Sequence, residues 1–132
     1  MPGSPLCTRL PDWLAEELRQ SFKTNGEGVS EGLRRIVEEW WVVQHLSEVE
    51  FRDGPAGRRA GLKKGPDIWQ LMMIKTGLND DLEVLKEYFG GLPDEQFRQA
   101  QAYAELFPER ISWFIRDNER VAQYLREKMG WE

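Results

Sequence analysis

The side chains of this chain best suited to chemistry are basic ones set beside short apolar repeats. In Leu6-Cys7-Thr8-Arg9-Leu10 the residues alternate, so Cys7 and Arg9 share one face of an extended segment and Leu6, Thr8 and Leu10 share the other. An arginine presented this way offers a fork of hydrogen-bond donors. Ser30 stands ahead of a helical repeat, where its hydroxyl makes a good cap. Arg52, Arg58, Arg59, Lys63 and Lys64 have only Asp53 among them, which gives residues 52–64 a net charge of +4. Such a run suits a DNA backbone or an acidic partner, and it is equally what a solvated surface looks like.

Other chemistry has little material. There is one histidine, His45, and one cysteine, Cys7, too few for a histidine-based triad, a multi-cysteine metal site or an internal disulfide. His45 falls near the end of a helical stretch, where it suits the helix dipole. Asp67, Asp80 and Asp81 could suggest a metal-dependent nuclease, but Asp80 and Asp81 sit at a helix start, where acids are stabilising without any catalysis. An enzyme is not expected, and no cofactor, metal or small-molecule substrate is implied.

The 132 residues suffice for one ordinary domain or two very small ones, and six Trp, six Phe and three Tyr supply apolar mass for a core. No run is long enough to span a membrane and no secretory leader is recognisable, so a cytoplasmic protein is expected. Charge is unevenly divided. Residues 1–65 hold ten Lys/Arg and ten Asp/Glu, whereas residues 66–132 hold eight against thirteen, which accounts for the net charge of −5. The first half can approach DNA; the second suits a neutral or basic protein partner.

These residues must be positioned by a mainly helical fold. The segment around 5–10 has the period of a lone strand. Pro11-Asp12 opens a helix with Leu14, Leu18 and Phe22 along one stripe, stopped by Asn25-Gly26 and Gly28. A second helix, capped by Ser30, runs to about Leu46 with Leu33, Ile36, Val37, Trp40 and Val43 or Gln44 on its apolar stripe. Trp40 belongs to that stripe, and Trp41 beside it suits a dimer or partner contact. Val49–Asp53 and Arg58–Leu62 flank a Gly/Pro turn as a β-hairpin. Helices follow at about Asp67–Thr76, Asp80–Phe89 with Asn79 as cap, Pro93–Leu106 and Pro108–Met129. Val84, Leu85, Phe89, Phe97, Ala100, Tyr103, Ile111, Phe114 and Ile115 are expected in the core. The expected divisions are 1–46, a hairpin connector 47–65, and a helical domain 66–132.

Thr8-Arg9-Leu10-Pro11 with Leu14 and Leu18, followed by Gly28-Val29-Ser30-Glu31 and Leu33-Arg34, resembles the ribbon-helix-helix family of DNA-binding proteins. The resemblance implies that strands of two chains pair into an antiparallel ribbon that enters the major groove. Pairing would also satisfy the open hydrogen-bonding groups of a solitary strand. Cys7 and Arg9 would then face the groove with Ser30 at a phosphate, while Leu6, Thr8, Leu10, Leu33, Ile36 and Trp40 would serve dimerisation. A homodimer or a higher even oligomer is expected.

Further along, Gly57-Arg58-Arg59-Ala60, Gly65-Pro66-Asp67-Ile68-Trp69, Leu92-Pro93-Asp94-Glu95-Gln96, Ala100-Gln101-Ala102-Tyr103 and Phe107-Pro108-Glu109-Arg110-Ile111 are similar to the bacterial domain-of-unknown-function family 433. Members of that family resemble antitoxins encoded beside PIN-like ribonuclease toxins, and their helices look like a helix-turn-helix. The helices expected at Asp80–Phe89 and Pro93–Leu106 form such a pair, with Gln96, Arg98, Gln99 and Gln101 on the second able to touch bases or phosphates. Asp94 and Glu95 at its start would repel phosphates, which favours a structural use of the pair. The combined expectation is an antitoxin that blocks a PIN-like toxin with its second half and represses its own operon by binding operator DNA with its first. A dimeric protein-interaction adaptor without DNA binding and a stand-alone transcriptional regulator are the alternatives.

Overall fold

The computed structural model describes residues 3–55 and 57–130, and the chain is mainly helical with one small antiparallel sheet. Its contacts fall into two units, 1–40 and 41–132.

In the first unit, residues 3–11 form no regular structure and are exposed. A strand that pairs only with a second chain would be unpaired in a single chain as well. Helix α1 (Asp12–Thr24) starts after Pro11, whose fixed φ is compatible with a helix entry, and has Asp12 in its first turn and Lys23 in its last, both matched to the dipole. Helix α2 (Val29–His45) begins two residues earlier than a Ser30 cap implies, so Ser30 lies inside the first turn rather than at the cap. The turn between the helices is held by Arg35, which makes two parallel bonds to Glu27 at 2.8 and 2.9 Å and reaches Glu39 at 3.4 Å. The Glu27 hydrogen bonds raise the Arg35 pKa above its ordinary value. Gly32 admits the second anchor. A Cβ there would lie 2.3 Å from Cδ1 of Phe22, so only a glycine lets this ring close against α2.

The second unit is built on a hairpin of β1 (Val49–Arg52) and β2 (Arg59–Leu62), with Val49 opposite Leu62 and Arg52 opposite Arg59. The connection includes Gly57 at φ 105°, a value that L side chains rarely adopt. Four helices follow: α3 (Ile68–Gly77), α4 (Leu82–Tyr88), α5 (Asp94–Leu106) and α6 (Pro108–Met129). Helix α4 is shorter than its sequence pattern suggests. Asn79 and Asp80 take left-handed conformations at φ 55° and 59°, and Asp81 is the residue whose carboxylate accepts from the Val84 amide as cap. Pro93 and Pro108 precede or open their helices as expected, and Gly130 closes α6 in the left-handed conformation.

One apolar cluster unites this unit: Leu62, Ile68, Leu71, Leu85, Ala100, Tyr103 and Ile111 are buried, and Phe89, Phe97 and Ile115 pack against them. Val84 lies outside it, exposed on α4. The hairpin is therefore part of a core rather than a connector, since Val49, Ala60 and Leu62 all belong to the cluster. So do two residues of the sequence assigned to the first division: Val42 is 1 % exposed and Leu46 9 %. A fragment 41–132 should accordingly unfold at higher urea than a fragment 47–132, the difference being about 3 kcal/mol or more for two aliphatic side chains missing from the core. Equal midpoints would show that α2 contributes nothing to this core.

Candidate functional site

Phe22 is the one buried hydrophobic residue of unit 1 among the described residues. The apolar stripe of α2 instead faces water. Val29, Leu33, Val37 and Val43 are exposed, Ile36 is 38 % exposed and Trp40 58 %. Their spacing places them on one side of a helix, which makes a continuous apolar strip rather than scattered surface residues. Trp41 is exposed as well, so neither indole of the pair enters a core; Val42 is the α2 residue that does, joined by Leu46 just after the helix. The His45 ring stacks on Trp41 at 4.3 Å and its Nδ1 lies 2.8 Å from the Trp41 carbonyl, which closes the last turn of the helix.

Above the start of α2 lies an open groove of about 600 Å³, lined by Thr8 and Leu10, by Leu18 and Phe22 of α1, and by Val29 and Leu33. Arg9, Asp12, Glu16 and Arg19 also line it. The groove thus gathers Thr8, Leu10 and Leu33 of the expected dimerisation set, together with Arg9 of the expected DNA-reading set. Leu6 is 96 % exposed and Cys7 is exposed, both outside the groove lining. Ile36 and Trp40 continue the strip along α2. The arrangement offers apolar surface along one helix and, beside it, a groove lined by both apolar and charged side chains, a face that a two-fold copy of itself can cover.

The basic run is differently used. Arg52 donates to Asp67 at 2.9 Å, to Glu50 at 2.9 Å and to the Leu62 carbonyl, and Arg59 donates through Nε to the other Asp67 oxygen. Asp67 is buried, at 7 % exposure, directly ahead of α3, and its carboxylate makes no cap bond to that helix. Gly61 and Gly54 make room for the two guanidinium groups, since a Cβ at either position would lie 2.4 Å from one of them. Two strands and the start of α3 are locked by this cluster. Arg58 pairs with Asp53 at 3.0 Å and lies over the Phe51 ring at 5.8 Å. Lys63 and Lys64 are exposed on the turn after β2. The expected cationic patch is therefore largely compensated, with five cations against Glu50, Asp53 and Asp67.

The polar side chains of α5 bond largely within the chain. Gln99 is buried, accepting from the Glu48 amide at 2.7 Å and donating to Glu95 and Ser47. Gln96 donates to the Lys63 carbonyl at 2.8 Å, Arg98 pairs with Glu95 at 2.7 Å, and Gln101 donates to Glu105. The Arg98 and Gln99 hydrogen bonds hold the Glu95 carboxyl below its ordinary pKa. Gln99, expected as able to touch DNA, is instead a bracket between α5 and the entry to β1. A buried backbone amide left without a partner costs more than one bond is worth, which explains the choice of a glutamine there.

Sequence reasoning missed the Arg52–Asp67–Arg59 lock and the Gln99 bracket. One signal for the lock was legible: glycines alternate with arginines across the hairpin, small residues standing where a guanidinium must lie. No known protein family, curated protein or solved structure matches this chain.

Proposed function

We propose that this protein is a dimeric antitoxin of a type II toxin–antitoxin system. Its first unit dimerises and binds operator DNA, and its second covers the RNA-binding groove of a PIN-like ribonuclease toxin. The observation that carries the reading is the imbalance of unit 1: among its described residues, one buried hydrophobic side chain against a long exposed apolar strip. A unit of about 40 residues rarely holds itself together without a disulfide, a metal or another chain. Cys7 is the single cysteine, which leaves no disulfide within the chain, and a second copy laid on the strip would supply the missing burial. Dimerisation would bring two segments 6–10 together as a ribbon and present two Arg9 side chains to one major groove. The second unit supports the toxin half of the reading through its net charge, which is that of a partner for a phosphate-accepting surface.

A second reading is favoured by the basic run. Arg52, Arg58 and Arg59 are spent on ion pairs within the chain, which takes from DNA the cations nearest in sequence to the sheet. That observation favours a dimeric adaptor that joins proteins without touching DNA. A gel shift decides between them. On DNA from upstream of the gene, the full chain should give a discrete shifted band, and Arg9→Ala should weaken it by about 1–3 kcal/mol while the oligomer is unchanged. No shift by the parent chain leaves the adaptor. Co-expression with the product of the adjacent gene, followed by pull-down, tests the toxin half: a stable complex that abolishes ribonuclease activity is expected, and active, unbound nuclease would refute it.

A further inference from the structure

Six residues of α2, namely Val29, Leu33, Ile36, Val37, Trp40 and Gln44, fall within about 100° of arc on the helix, since each residue turns the chain by about 100°. Their separations along the chain are 4, 3, 1, 3 and 4 residues, which read the same from either end, so the strip has a midpoint between Ile36 and Val37. None of the six is ionisable, and the five apolar ones are exposed. The groove of unit 1 opens beside one end of this strip. Val29 and Leu33 are the α2 residues that line it, together with Ala15, Leu18 and Phe22 of α1. Its charged lining is balanced, with Arg9 and Arg19 against Asp12 and Glu16. Trp40 stands seven residues beyond Leu33, about 10 Å along the axis, and presents the largest side chain of the strip to solvent. Each copy therefore carries a groove at one end of the strip and an exposed indole toward the other.

We infer that α2 pairs antiparallel with α2 of a second copy, about a two-fold axis between Ile36 and Val37, and that Trp40 of each copy fills the groove of the other. About such an axis Ile36 faces Val37 of the second copy, Leu33 faces Trp40, and Val29 faces Gln44. All six members of the strip meet in this register, and a slip by a turn or more leaves one end of each strip uncovered. Parallel pairing would set each Trp40 against its twin, leave both grooves empty and align the two helix dipoles, whereas the antiparallel pair opposes them. The extent of contact also favours exchange of the indoles. A seam of six side chains is narrow beside the roughly 20–30 residues a side of a stable interface, and an indole in each groove draws α1 and residues 8–10 into the contact. The groove, at about 600 Å³, falls within the roughly 300–1,000 Å³ of clefts that hold small ligands, so an aromatic ring can enter it. The indole N–H can only donate, and Asp12 and Glu16 supply acceptors in the lining. This inference rests on the dimer of the proposed function and specifies its geometry, independently of toxin and DNA.

The register is read by disulfide trapping in the full chain carrying Cys7→Ser. One preparation also carries Val29→Cys and the other Gln44→Cys, so each chain has one thiol at an end of the strip. After mixing, subunit exchange and mild oxidation at micromolar concentration, the mixed disulfide should exceed either like-with-like disulfide by about tenfold. Parallel pairing gives the reverse. The exchange of indoles is read by sedimentation. Trp40→Ala should raise the dissociation constant of the dimer by about a hundredfold or more. Ala15→Trp, which fills the groove from within its own chain, should weaken the dimer as well, and the two changes combined should weaken it less than their separate effects multiplied. Circular dichroism checks each variant, and if Ala15→Trp is unfolded the cysteine pair and Trp40→Ala decide the matter. A parent chain that dimerises without an excess of the mixed disulfide, or with a dissociation constant unmoved by Trp40→Ala, overturns this inference and leaves the dimer standing. If the parent chain is a monomer at micromolar concentration, the dimer falls and the inference with it.

Discussion

Sedimentation equilibrium of the full chain should return twice the 15.5 kDa of a single copy, and a chain carrying Ile36→Glu and Trp40→Glu should return 15.5 kDa. Both residues lie on the outer strip of α2, so the exchange removes four large apolar groups from a symmetric interface and places four charges in it. At about 1 kcal/mol for each half-exposed side chain covered, the lost burial alone weakens association about a thousandfold. The desolvation of glutamates adds to that. The same exposure makes the single chain tolerant of the change. Glutamate is a good helix former, and Phe22, Gly32 and the Arg35–Glu27 pair are untouched, so the helical circular dichroism signal should persist. A parent chain that sediments at 15.5 kDa at micromolar concentration would remove the dimer from the proposal.

Asp67→Ala should be the most damaging single exchange in the second unit. The carboxylate holds Arg52 and Arg59 at once, its own side chain is 10 % exposed, and the two arginine side chains are 25 % and 24 % exposed. Removing one partner from a buried ion pair costs about 3–5 kcal/mol, and the water still reaching the arginines reduces that here to about 2–3. For a unit of this size the loss lowers the melting temperature by roughly 10–20 °C. Asp67→Asn preserves the shape and one acceptor, so it should fall between parent and alanine variant. Asp94→Ala, on an exposed carboxylate, should lie within about 1 °C of the parent. A drop of less than about 3 °C for Asp67→Ala would mean that the hairpin does not depend on the lock.

Much of the helical order was legible because its punctuation is local. Pro108 and Gly130 bracket α6, and Pro93 stands at the start of α5, so the ends of these elements follow from one or two residues each. The hairpin was legible for the same reason, from the Gly54–Gly57 turn. What was not legible depended on distant partners. Residues 29–46 carry two apolar faces, the outer strip of α2 with Ile36 and Trp40 and the inner pair of Val42 and Leu46, the latter just past the helix, and a period of about 3.6 residues read over so short a span merges them. Asn79 has the composition of a cap, yet it turns left-handed and leaves the task to Asp81, one of three consecutive residues, Asn79, Asp80 and Asp81, whose side chains are competent to cap. For the candidate site, the apolar strip was visible as a pattern, whereas the consumption of Arg58 and Arg59 by Asp53 and Asp67 was not. Charge counted along a sequence does not reveal which cations are already paired.

The course of α2 through the boundary at residue 40 has a thermodynamic consequence. Any copy that covers Ile36 and Trp40 binds a helix whose next turn supplies Val42 to a different core, so the free energy of association is shared with the folding of the second unit. By mass action, the melting of that unit would then rise with protein concentration, although no residue beyond 45 need touch the second copy. Dilution would lower it in turn, and a cell that ceased to make the protein would meet chains easier to open, and so easier to degrade, as the concentration fell.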